Sequence, residues 1–86
     1  MNRVPRITSV IPLSGYILDV TFENGEKRKF SVDPYIKEFP AFKPIVNYAL
    51  FNTVHVDAGG YAIAWNDDID IDRYDIWEDA VPDNMK

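Results

Sequence analysis

The chain has 86 residues, 47% of them apolar and 14% aromatic, no cysteine, and a formal net charge of −5. That length supports one small core rather than two, and the lack of cysteine excludes disulfides, thiolate metal sites and thiol nucleophiles. Residues 1–43 carry +2 and residues 44–86 carry −7, a balance that argues against broad attachment to nucleic acid or anionic lipid and favours a basic partner surface.

The first element is a strand with Ile7, Ser9, Ile11 and Leu13 on one side and Thr8 and Val10 on the other. Pro5 and Pro12 cannot donate to a ladder, which confines the strand to a sheet edge or makes it irregular. After a Ser14-Gly15 turn, Tyr16, Leu18, Val20 and Phe22 alternate with Ile17, Asp19, Thr21 and Glu23, the period of a half-buried strand. Asn24-Gly25 follows, and Arg28, Phe30 and Val32 then share one face of a third strand. Parity selects the loop. A two-residue Asn24-Gly25 turn would oppose Val20 to Lys29 and Leu18 to Ser31, mixing lysine into the apolar side. A three-residue loop, Glu23-Asn24-Gly25, opposes Phe22 to Glu26, Val20 to Arg28, Leu18 to Phe30 and Tyr16 to Val32. It gathers the apolar residues with Arg28 as the one exception, and it puts Gly25 at the left-handed position of a type I turn plus bulge.

From Asp33 the period changes. Asp33-Pro34 predicts a helix start with Asp33 as cap, and Tyr35, Ile36 and Phe39 form its apolar face before Pro40. A second start at Lys43-Pro44 predicts about three helical turns through Ile45, Val46, Tyr48, Ala49 and Leu50, clamped to the sheet by Phe42 and Phe51. Val54 and Val56 then point inward, with Thr53, His55 and Asp57 outward. The Asp57–Gly60 turn leads to a strand bearing Tyr61, Ile63 and Trp65, through an even loop of two or four residues. After Asn66 the composition turns acidic, and Asp72 caps a short helix carrying Tyr74, Ile76 and Trp77 that Pro82 ends.

The resulting expectation is a single α+β domain over residues 1–86. It is a small two-layer fold with an antiparallel five-stranded sheet, helices on one side, and the order β-β-β-α-β-β-α. Its ordered core spans about residues 4–79, with a frayed tail at 82–86. No apolar run is long enough for a bilayer and no signal-peptide pattern opens the chain, so the expected location is cytoplasmic.

Several short motifs follow one another along the chain: Phe22-Glu23-Asn24-Gly25-Glu26, a basic strand ending at Phe30, Phe42 with Ile45 and Phe51, and Val54 with Val56. An aromatic strand ending at Trp65, then Asp70-Ile71 and Ile76-Trp77, completes the series. This order resembles the small, mostly bacterial domain-of-unknown-function family 2442, from about Ile7 to Trp77. The resemblance implies a compact α+β domain with an antiparallel sheet, sometimes joined to a helix-turn-helix segment and sometimes found beside small toxin–antitoxin-like partners. It implies no catalytic residues. The chain departs from the usual pattern at Asn66-Asp67-Asp68, where Pro-x-Gly is common, and at Asn47, where Asp is frequent. No helix-turn-helix segment follows Trp77, so DNA reading does not carry over.

The acidic run is the one stretch with metal-ligand spacing. Asp68, Asp70, Asp72 and Asp79 fall at positions one, three, five and twelve of a calcium loop. Position six, where glycine is needed, is Arg73, and the final bidentate Glu is a shorter Asp. Ile69 and Ile71 between the acids read instead as a strand or sheet edge with a solvated acidic face. No cofactor is expected. A nucleic-acid-binding role would need Lys27 and Lys29 to converge with Arg3 and Arg6, whereas strand geometry points the two lysines away from Arg28. The same geometry lets the basic cluster pair across strands with Asp19 or Glu23. His55 is the one histidine, and no nucleophile elbow, phosphate-cradling glycine loop or zinc-binding pair is present, so no enzyme is expected. There remains an interaction surface of Trp65, Asp70, Tyr74, Trp77, Glu78 and Asp79, aromatic anchors among acids, suited to a basic protein partner or to self-association. A metal-responsive acidic module and a nucleic-acid accessory domain stand as the alternatives. Whether the two tryptophans face a partner or close the core is open at this level.

Overall fold

The amino-terminal alternation folds into β1 (Ile7–Leu13), β2 (Ile17–Phe22) and β3 (Lys27–Ser31) in a computed structural model that describes residues 3–82. The hairpin has the three-residue loop: Leu18 lies opposite Phe30 and Val20 opposite Arg28. The Phe22 N–H donates to the Glu26 carbonyl and the Val32 N–H to the Tyr16 carbonyl, both at 2.9 Å. Gly25 sits at φ +88°, the left-handed conformation that the turn requires and that side chains disfavour.

β1 is an edge strand, as its prolines require, but its faces differ from the simple alternation. Ile7 opposes Phe22 whereas Ser9 opposes Thr21, so one residue is inserted between them. An inserted residue sends everything after it to the opposite face. Ile7 is therefore buried, Val10 packs on the core, and Ile11 (51% exposed) and Leu13 face outward.

The expected single five-stranded sheet is replaced by two antiparallel sheets. One has the order β1-β2-β3-β7, where β7 is Val81–Pro82; the other joins β4 (His55–Asp57), β5 (Ala62–Asn66) and β6 (Ile69–Asp72) in sequence order. β1 runs close to β4, yet its bulge and Pro12, which lacks an N–H, interrupt the edge that would have to join them. Asp57 opposes Ala62, which fixes the loop at four residues. Within it Gly60 lies so close to β1 that a Cβ would stand 2.7 Å from the Ile7 carbonyl oxygen. The acidic run supplies β6, with Ile69 and Ile71 buried and Asp70 and Asp72 exposed. At the carboxyl end Val81 pairs with Lys29 and Pro82 with Arg28. Strand pairing thus reaches Pro82, the first residue of the expected frayed tail; the rest of that tail lies outside the described residues.

The helical middle is also more broken than its apolar pattern implies. Val32, not Asp33, occupies the cap of α1 (Asp33–Glu38). Asp33 is the first helical residue, and its carboxylate lies 2.9 Å from Lys37 Nζ, one turn on. The three-turn helix is split into a 3₁₀ segment, Pro40–Val46, and a single turn α2, Tyr48–Phe51. Pro40 and Pro44 remove two donors, and Asn47 restarts the chain as a cap whose Oδ1 accepts the Ala49 N–H at 2.8 Å. The last helix, α3 (Arg73–Asp79), begins as expected, with the Asp72 carboxylate accepting the Tyr74 N–H at 2.9 Å. Both sheets and all these helices contribute to one core, in which Leu18, Val20, Phe22, Phe30, Ile45, Phe51, Ile63 and Ile76 are fully enclosed.

Candidate functional site

α3 carries most of the predicted surface residues, and its packing decides which of them can act. Ile76 is completely buried and Ala80 nearly so, which fixes the inward face. Asp75 and Asp79, one turn apart, border α1. Tyr74 (53% exposed) and Glu78 face solvent, and Trp77 turns toward the hairpin.

The six residues predicted to form one surface are therefore divided. Trp65 is 4% exposed and belongs to the core, its indole N–H donating to the Phe51 carbonyl at 2.9 Å. Asp70 sits on the exposed side of β6, between two buried isoleucines. Trp77 is half-buried. The Phe22 ring meets it edge-on at 4.9 Å, and the Arg28 guanidinium lies 3.5 Å from its centroid. Arg28 also donates through Nη1 to the Trp77 carbonyl and through Nε to Glu26, each at 2.6 Å. This explains why an arginine is tolerated on the apolar side of the hairpin: its charge is paired and its plane is stacked. Tyr74, Glu78 and Asp79 remain together on α3.

Asp79 opens onto a groove of about 350 Å³ between α1 and α3, lined by Pro34, Tyr35, Glu38, Phe39, Asp75 and Asp79. Three carboxylates surround two aromatic rings there, and Phe39 is 47% exposed. The Tyr35 hydroxyl is pushed up from its ordinary 10.0 to about 12, first by burial and then by the negative charges of Asp75 and Asp79. The groove is thus an acidic, partly desolvated place where a cation would be welcome. Sequence reading missed Tyr35, Glu38 and Phe39 as members, although an aromatic left bare just before Pro40 was a usable signal.

The calcium-loop spacing does not fold into a loop. Asp68 lies in the turn, where its N–H and that of Ile69 donate to Asn66 Oδ1 at 2.8 and 3.0 Å. Asp70 is on the strand and Asp72 is engaged as the helix cap. Among the described residues no group of three or more His, Cys, Asp or Glu side chains is placed to hold a metal ion. The four basic residues that a nucleic-acid surface would need are likewise separated. Lys27 and Lys29 lie on the outer sheet face, with Lys29 Nζ 3.5 Å from Asp19 across the strands. Arg3 and Arg6 line a cleft on the other side of the hairpin turn. His55 is exposed, its Nδ1 3.1 Å from the Thr53 carbonyl. Among the described residues no helix is long and apolar enough to cross a membrane.

Residues 7–81 match a family model described as "Protein of unknown function (DUF2442)", the family whose motif order the sequence resembles. No curated protein and no solved structure matches the chain.

Proposed function

The chain belongs to the DUF2442 family, and we propose that it works there as a non-catalytic interaction domain whose α1–α3 groove receives a basic segment of a protein partner. The single observation carrying this is the meeting of Glu38, Asp75 and Asp79 around Tyr35 and the half-exposed Phe39. Aromatic faces supply apolar contact and cation–π attraction, while carboxylates on the rim select a lysine or arginine and steer its approach. A small toxin-like protein or a DNA-binding protein, both rich in basic residues, has the required chemistry. Tyr74 and Glu78 extend the same acidic, aromatic character along α3.

The test is a paired affinity purification from the native host with wild type and the Asp75→Asn/Asp79→Asn variant. A basic protein should be retained by the wild type at low salt and released by salt or by the double substitution. Recovery of a bound metabolite with no protein would overturn the proposal, and so would a protein held equally by both forms.

A further inference from the structure

On the opposite side of α3 from the acidic groove, a second cleft of about 660 Å³ opens between the amino-terminal segment, the hairpin turn and the start of the helix. We propose that it binds a small ligand through an oxyanion, a phosphate or a carboxylate, held by Arg3, Arg6 and Arg73.

Three features carry this. First, the cleft collects three guanidiniums on a protein whose net charge is −5. Arg3 and Arg73 have no carboxylate within ion-pair distance among the described residues. Second, two of the three basic groups, Arg73 and Arg6, are pre-positioned. Arg73 is the one lysine or arginine in the described part of the acidic half. Its Nε donates to the Val4 carbonyl at 3.2 Å and its plane lies 4.6 Å from the Tyr61 ring centroid. Arg6 lies 5.5 Å from the same ring. Nε is thereby spent on the backbone, and neither terminal nitrogen of Arg73 has a hydrogen-bond partner among the described residues. A planar fork with free donors matches two oxygens of a carboxylate or phosphate. Third, the negative groups of the cleft are already engaged. Glu23 accepts the Arg6 N–H at 2.9 Å and lies 3.7 Å from the Arg6 Nε, while Glu26 is paired with Arg28. Two guanidiniums gathered at one tyrosine ring repel each other, and a bound anion relieves that repulsion. The volume suits a small molecule, with Tyr61 and Trp77 as apolar walls.

Glu23 is the built-in competitor for Arg6. That assigns the substitutions opposite signs, which a general loss of structure would not produce. The measurement is a nitrogen–proton NMR titration of the whole chain with inorganic phosphate, phenyl phosphate and succinate, each against chloride at equal ionic strength. The expected result is a saturable shift of the Trp77 indole and Arg73 Nε–H signals with at least one oxyanion. The phosphate and succinate arms show which kind the cleft prefers. Arg73→Gln should weaken binding about tenfold and Arg3→Gln about threefold, whereas Glu23→Gln should strengthen it. Arg3 makes no contact that the fold depends on, so Arg3→Gln decides the matter if Arg73→Gln does not fold. No saturable shift with any oxyanion, an equal shift with chloride, or an affinity indifferent to Arg3→Gln would overturn the proposal.

Discussion

The two sides of α3 are chemical opposites built from the same seven-residue helix. Toward α1, Asp75 and Asp79 join Glu38 around half-covered aromatic rings. Toward the hairpin, Arg73 and Trp77 join Arg3, Arg6 and Tyr61. The linear charge map divides the chain into a mildly basic half and a strongly acidic one, yet neither half predicts these faces. Arg73 leaves the acidic half to meet two arginines from the amino terminus, and Glu38 leaves the basic half to meet two aspartates from α3. Net charge describes the sequence; the folded surface is set by which side of one helix each residue occupies.

If α3 is the shared wall of both sites, removing its anchor should damage both at once. Ile76→Ala leaves a cavity where a fully enclosed side chain belongs to the shared core, and it should cost about 2–5 kcal/mol in denaturant unfolding. A loss under about 1 kcal/mol would mean that α3 is held by something other than its core contact. Arg28→Gln should act on one side only. The arginine is 14% exposed at its side chain, pairs with Glu26 and reaches the Trp77 carbonyl. Its removal should cost about 1.5–3 kcal/mol and loosen the Trp77 indole. The groove toward α1 should keep its Tyr35 titration unchanged. A matching change at Tyr35 would show that the two faces are not independent.

The hairpin register could be read from sequence because its evidence is local and has parity. With Leu18, Val20, Phe30 and Val32 all needing one face, a two-residue loop fails and a three-residue loop with Gly25 left-handed satisfies them. The same parity failed in β1, because a bulge beside Thr8 has no marker among Ile7, Thr8 and Ser9, and one uncounted residue turned Ile11 and Leu13 outward. The helix expected over residues 43–50 took Pro44 as its start, whereas Pro44 lies inside a 3₁₀ segment, and it ran through Asn47, which is a better cap than helix interior. Asp72 as a cap and the alternation of Ile69 and Ile71 with Asp70 and Asp72 were visible, since both depend on neighbours in sequence. The surfaces were visible only in part. Tyr74, Glu78 and Asp79 lie on one short helix, whereas Trp65 is diverted to the core by a hydrogen bond to Phe51, fourteen residues away. The arginine cleft left no sequence signal, because its residues come from four separate stretches of chain.

The smallest expected effect is also the sharpest probe of the acidic side. The folded chain holds the Tyr35 proton more tightly than the unfolded chain, at about 12 against an ordinary 10.0. Between these values the unfolded state has lost a proton that the folded state keeps, so stability falls as pH rises through that window and levels off above it. Below 10.0 the contribution is complete. Burial is the leading cause and the two aspartates come after it, so Asp75→Asn/Asp79→Asn should lower the Tyr35 value without returning it to 10.0. Phenolate absorbance, taken as the difference between wild type and Tyr35→Phe, isolates this group from Tyr16, whose hydroxyl is also raised, chiefly by burial. A basic ligand seated in the groove should lower the Tyr35 value as well, because its positive charge favours the phenolate. An ordinary Tyr35 titration in the free protein would show the groove to be neither desolvated nor strongly acidic, and the contrast between the two sides of α3 would then rest on the arginine cleft alone.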